Sequence, residues 1–130
     1  RGLCKMREEV VDTSVFLSSL VADDEKHNEA IALMEEMDKE ETIFHVPSLV
    51  ILEIIATLSR LAGVEEAREA KNVIDFWIDR GKIKVHHFDL KQMDEAVEIA
   101  LNRRLHLADA VVIQLAEERG LPLISMMRKS

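Results

Sequence analysis

Cysteine occurs once in these 130 residues, at Cys4. A single thiol closes no intrachain disulfide and assembles no zinc site by itself, which suits a reducing compartment and leads us to expect a cytoplasmic protein. Glycine is almost as sparse, with four in all. None opens a glycine-rich phosphate loop after an expected strand, which removes support from a nucleotide-binding or phosphatase-like α/β domain. Long hydrophobic runs are also missing. The longest, residues 30–34, and the runs at 49–52 and 110–113 fall far short of the ~20 residues that cross a bilayer, so no membrane partner is expected. No apolar stretch separates Arg1-Gly2-Leu3-Cys4-Lys5 from Met6-Arg7-Glu8-Glu9, so no secretory leader is expected within the sequence. Met6 reads as a natural start. Residues 1–5 then read as an extension outside a single domain of residues 6–130.

An excess of positive charge is lacking as well. Lys and Arg total 17 against 25 Asp and Glu, a formal charge of -8. Nine acids and two bases fall between Asp23 and Glu41, which reads as the solvated face of a helix and leaves the rest of the chain nearly neutral. No basic footprint for tight, non-specific binding to phosphate backbones is present. The five histidines show no zinc-ligand spacing, and His86 and His87 point to opposite faces of a regular strand. What is present is a core: hydrophobic residues make up 48% of the chain, enough for one compact α/β unit.

Val10-Val11 reads as a short buried strand, followed by capping groups in Asp12-Thr13-Ser14 for a helix near Val15. Ala30, Ile31, Met34 and Met37 recur at helical spacing from Lys26. A second strand over residues 42–46 stops at Pro47, which can open the apolar helix of residues 48–61 that Gly63 ends. Ala67, Ala70, Ile74, Trp77 and Ile78 place a helix over residues 64–80, and residues 83–86 alternate as a third strand. Met93, Ala96, Val97, Ala100 and Leu101 share one face of a helix over residues 90–105. A last helix runs from about Ala108 to Gly120, with a fourth strand over residues 121–125. Strands alternating with helices predict an α/β fold with a mainly parallel sheet of about four strands. The methionines Met34, Met37 and Met93 read as core fillers, and Trp77 as core or dimer interface.

Three acids interrupt apolar sequence. Asp12 closes Val10-Val11, Glu53 sits within residues 49–55, and Asp109 sits within residues 107–113. A buried, unpaired carboxylate costs several kcal/mol, so such residues are paired, neutralised or bound to a cation. Asp12 alone could be an N-cap and Asp109 a first-turn residue favoured by the helix dipole. Glu53 is harder to explain locally. Its neighbours one turn away on a helix are Leu49, Val50, Ala56 and Thr57, none of them basic. Carboxylates gathered at strand ends and helix starts form an oxygen site suited to Mg2+ or Mn2+. Arg103-Arg104 and Arg128-Lys129 are candidates for phosphate contact, weighed against plain solvent exposure.

In their order and spacing, Val10-Val11-Asp12-Thr13-Ser14, then Pro47 and Glu53, then Leu107-Ala108-Asp109-Ala110 and Gly120-Leu121-Pro122-Leu123-Ile124-Ser125, the chain resembles PIN-domain ribonucleases, the family that includes the VapC-like toxins. The resemblance implies a parallel sheet flanked by helices, a Mg2+- or Mn2+-dependent hydrolysis of RNA phosphodiesters, a small antitoxin partner and a homodimer. It assigns catalysis and metal binding to Asp12, Glu53 and Asp109, with Ser14 and Ser125 as the hydroxyls beside them. Many members carry a further Asp two residues past the second hydroxyl, where this sequence has Met127. A thioether is a poor ligand for a hard cation, so the alternative is a weakened or inactive module that binds RNA or protein.

Overall fold

A computed structural model describes residues 7–12, 15, 18, 32, 35 and 42–124. In chain order these give β1 (Arg7–Val11), β2 (Thr42–Pro47), α1 (Ser48–Leu61), α2 (Val64–Asp79), β3 (Ile83–His86), α3 (Leu90–Arg103), α4 (Leu107–Arg119) and β4 (Leu123–Ile124). The sheet has four parallel strands in the order β3, β2, β1, β4, so the expected α/β fold is the observed one. Val15, Ser18, Ala32 and Glu35 are helical, and Val15 is buried in the core. The remainder of the helix expected from Lys26, with Met34 and Met37, lies outside the described residues.

Element boundaries follow local chemistry. β1 begins three residues earlier than apolar patterning indicates, because its polar start is paired within the sheet: Arg7 and Glu8 lie opposite Thr42 and Ile43, and Arg7 Nη2 donates to Glu9 Oε2 at 2.6 Å. β4 begins two residues later than expected, since Pro122 supplies only its carbonyl, which accepts from Val10 N–H at 2.9 Å. Pro47 ends β2 in extended conformation and caps α1, whose Val50, Ile54 and Leu58 point into the core at helical spacing. α2 buries Ala67, Ala70 and Ile74, and its Trp77 stacks on Phe44 of β2 with ring centroids 5.7 Å apart. Trp77 is therefore half-buried against the core. α4 is buried on several sides, through Ala110, Val111, Val112, Gln114, Leu115 and Ala116. Gly120 closes it in the left-handed region (φ 65°), where glycine carries no Cβ penalty.

α3 departs from expectation. Met93, Val97 and Leu101 are 42%, 44% and 68% exposed, and only Ala96 of that helix is buried. Met93 is thus not a core filler. The reason is that α3 rests on α4 through its polar side: Gln114 Nε2 donates to Glu95 Oε1 at 2.8 Å, and Gln92 Nε2 donates to Glu118 Oε1 at 2.8 Å. The apolar stripe points away from that contact.

A chain of polar side chains crosses three strands. Arg119 Nη2 of α4 lies 3.2 Å from His86 Nδ1 of β3, His86 Nε2 lies 2.7 Å from His45 Nδ1 of β2, and His45 Nε2 lies 2.7 Å from Glu8 Oε1 of β1. A guanidinium only donates and an ionised carboxylate only accepts, so the direction of the chain is fixed. His86 accepts from Arg119 and donates to His45, which donates to Glu8. Both rings are then neutral with every ring nitrogen satisfied. A proton added to His86 Nδ1 would face the Arg119 donor. His86 is held below its ordinary pKa of 6.5, first by burial and next by the charge of Arg119, with His45 and Lys84 adding and Glu118 opposing. An imidazole with a lowered folded pKa leaves the unfolded chain binding more protons, so its contribution to stability is complete above about pH 6.5 and is lost as pH falls through the lowered value. Urea midpoints are therefore expected to drop between pH 7.5 and pH 5, and to drop less in His86→Gln.

Candidate active site

Strand order decides where a ligand can sit. The chain moves outward from β1 to β2 and β3, then returns to lay β4 on the other side of β1. Connections therefore diverge at the carboxyl ends of β1 and β4, the position where open α/β sheets bind ligands. Val10 and Val11 of β1 are fully buried, and Asp12 follows directly, 8% exposed. Its backbone N–H donates to Ile124 O at 2.9 Å and its carbonyl accepts from Val15 N–H at 3.1 Å. The main chain thus fixes Asp12 between the end of β4 and the first turn of the next helix.

Asp109 comes to the same place from α4. His106 is the N-cap residue, without a side-chain cap bond, and Asp109 stands in the first turn. A first-turn carboxylate should be favoured by the helix dipole. Here the opposite prevails: the Asp109 carboxyl is pushed above its ordinary range, first by burial and then by the negative charge of Asp12, against a smaller lowering from His106. The two carboxylates therefore repel one another in a partly desolvated corner, and a simple dipole role does not account for Asp109. Glu53 lies half-buried on α1, which packs against α4. Its Oε1 is buried without a hydrogen-bond partner, and no ion pair reaches it among the described residues. No arginine among the described residues pairs with this side chain.

Asp12 lies near enough for its charge to bear on the Asp109 carboxyl, and Glu53 Oε1 has no hydrogen-bond partner. Among the described residues no three His, Cys, Asp or Glu side chains form one group able to hold a metal. Ser14, Ser125 and Met127 lie outside the described residues, as do Arg128 and Lys129. Carboxylate oxygens are hard donors, and two carboxyls close enough for the charge of one to raise the pKa of the other offer a donor set that fits a divalent cation. Arg103 is engaged with Glu117 at 2.9 Å, and Arg104 caps α3 in the left-handed region (φ 55°), exposed. His106 is the residue that sequence reasoning passed over. Its spacing three residues before Asp109, at the start of an apolar helix, is the signal that places an imidazole beside the acid.

A carboxyl with a raised folded pKa makes the ionised fold less stable, so its penalty grows as pH rises from the ordinary value of 3.8 through the raised one. Asp109→Asn removes that penalty. The variant is expected to melt about 1–4 °C higher than the parent at pH 7, with the difference shrinking toward pH 4, as followed by circular dichroism.

Comparison with known proteins agrees with this architecture. No curated protein sequence matches the chain significantly. Among solved structures, VapC20 of Mycobacterium tuberculosis, described as a sarcin-ricin loop cleaving toxin, superposes with a TM-score of 0.72 at 20% identity, covering 87% of this chain and 84% of that one. VapBC2 of Rickettsia felis, bound to a DNA fragment from its promoter, gives 0.62 at 12% identity over 91% and 86% of the two chains. A toxin-antitoxin complex from Klebsiella pneumoniae gives 0.58 at 14% identity over 90% and 84%. At these identities the likeness is one of fold. The family model for the PIN domain matches residues 10–126, which spans β1 to β4 and includes all three acids; the chain belongs to the PIN domain family.

Proposed function

We propose that this protein is a metal-dependent endoribonuclease that hydrolyses RNA phosphodiesters and acts as the toxin of a toxin-antitoxin pair, as a cytoplasmic homodimer. The observation that carries the reading is the repelling Asp12–Asp109 pair at the switch point of a PIN-family sheet, because the family's chemistry and the sheet's ligand position coincide there. The similarity to two toxin-antitoxin complexes supports an antitoxin partner. No helix among the described residues is long and apolar enough to cross a membrane. The exposed stripe of Leu90, Met93, Val97 and Leu101 supplies apolar surface for a symmetric contact, which needs at least about 1,000 Å² in total.

In this reading Asp12 and Asp109 would hold Mg2+ or Mn2+, which would supply positive charge against the phosphodiester and lower the pKa of a bound water. Glu53 is the third acid of this reading, its Oε1 left without a hydrogen-bond partner in the fold. Val10, Val11 and the packing of α1 on α4 keep this corner partly dry, which strengthens each charge interaction within it.

Incubating the protein with mixed single-stranded RNA tests the reading. Cleavage is expected with Mn2+ or Mg2+, to be slow with Ca2+ and to stop on chelation. Perturbing even the outer shell of a metal site costs about 10- to 100-fold, so Asp12→Asn and Asp109→Asn should each lower the rate by about 100-fold or more. Met127→Asp should raise it on the ~10-fold scale by adding a hard oxygen donor. RNA binding with no cleavage under any of these metals would replace the nuclease with the binding-module reading.

A further inference from the structure

At the other end of the sheet from the acids, a cavity of about 470 Å³ is lined by Phe76 and Trp77 of α2, Arg80 at its C-terminal cap, and Lys82 just before β3. Two aromatic rings and two cations in one open cavity are unusual for a chain of charge -8. Phe76 is 55% exposed, and the Arg80 guanidinium carbon stands 5.1 Å from its ring centroid. Arg80 has no carboxylate partner among the described residues. Trp77 is fixed from behind by its stack on Phe44, so the floor of the cavity is rigid. Asp75 and Asp79 belong to the same helix and do not line it.

We propose that this cavity holds one nucleotide of single-stranded RNA, with the base taking the Phe76 face that the Arg80 guanidinium now covers and the displaced guanidinium meeting the phosphate beside Lys82. Exposed aromatic faces stack any base, and an exposed guanidinium can leave a ring face to pair with a phosphate. Stacking needs an unpaired base, which selects single strands over duplexes. The strand continues along an exposed edge. β3 is the outer strand of the sheet, and the exposed Lys84 follows Lys82 by two residues, about 6.6 Å along an extended chain, on a scale that suits successive phosphates. The cavity lies about a strand length, ~15–20 Å, from the carboxylates, so it is a second foothold for the substrate and not part of the cleavage centre. This inference deepens the ribonuclease reading by giving its substrate a binding subsite, and its test is read without cleavage.

Trp77 is the sole tryptophan and the chain has no tyrosine, so near-ultraviolet emission reports on this cavity alone. The full chain is titrated in chelator with a mixed-sequence single-stranded RNA 10-mer, with the same RNA as a blunt duplex, and with inorganic phosphate. Saturable quenching by the single strand is expected, weaker at higher salt, and at least about 5-fold weaker for the duplex. Phe76→Ala and Arg80→Ala should each weaken the single-strand affinity about 5- to 100-fold while leaving the circular dichroism spectrum unchanged, since both side chains are exposed. Emission that does not saturate, equal affinity for duplex, or affinity unchanged in both variants overturns the proposal. So does light scattering in which Phe76→Ala converts a dimer to a monomer while RNA affinity stays put, because the face then belongs to a second copy. Quenching as expected in a protein that never cleaves RNA overturns the nuclease reading and leaves this site standing; cleavage without quenching does the reverse.

Discussion

The parallel seating of β1 between β2 and β4 is the constraint on which the rest of the molecule depends. Val10 and Val11 are removed from solvent on both faces, and the strand's backbone is bonded on both edges. That leaves no freedom in where the chain emerges. Asp12 N–H is bonded to Ile124 O, so the first acid is delivered to the carboxyl end of β4 by main-chain geometry and not by its own side chain. A carboxylate carried to the end of a fully buried strand is desolvated by its position. Its charge adds to burial in raising the pKa of Asp109.

Stability and site chemistry pull against each other at this corner. The charge of Asp12 raises the cost of ionising Asp109 there, and on α1 Glu53 Oε1 is buried without a partner. Structures keep such groups where a ligand will satisfy them, and the sheet's switch point is the place for that ligand. At the far side of the same sheet the polar groups behave differently. The Arg119–His86–His45–Glu8 chain is fully partnered, with donors and acceptors alternating across three strands. One polar cluster is satisfied and holds strands together. At the strand ends the charge of Asp12 bears on the Asp109 carboxyl instead.

Charge is partitioned in the same spirit. The acids of the proposed centre lie at the strand ends, while Arg80, Lys82 and Lys84 run along the outer edge beside two aromatic rings. Net charge alone hides this, since -8 averages over surfaces with different signs. Lysine on an outer strand also discourages pairing with another sheet edge.

Alternation of strands and helices was legible in the sequence because each element carries its own period: Val50, Ile54 and Leu58 on α1, or Ala67, Ala70 and Ile74 on α2, repeat as a helix must when one face is buried. The three acids were legible for the related reason that a carboxylate among aliphatic residues has nowhere local to place its charge. Periodicity reports that a face is apolar, not what covers it. Met93, Val97 and Leu101 share a helical face as surely as the core residues do, yet they stay exposed because α3 docks through Gln92 and Glu95 instead. The polar start of β1, the histidine chain and the Phe76–Arg80 cavity join residues far apart in sequence, or on separate elements, and no local pattern encodes such meetings. Local preference fixed the elements, and the order of strands in the sheet decided which side chains would meet.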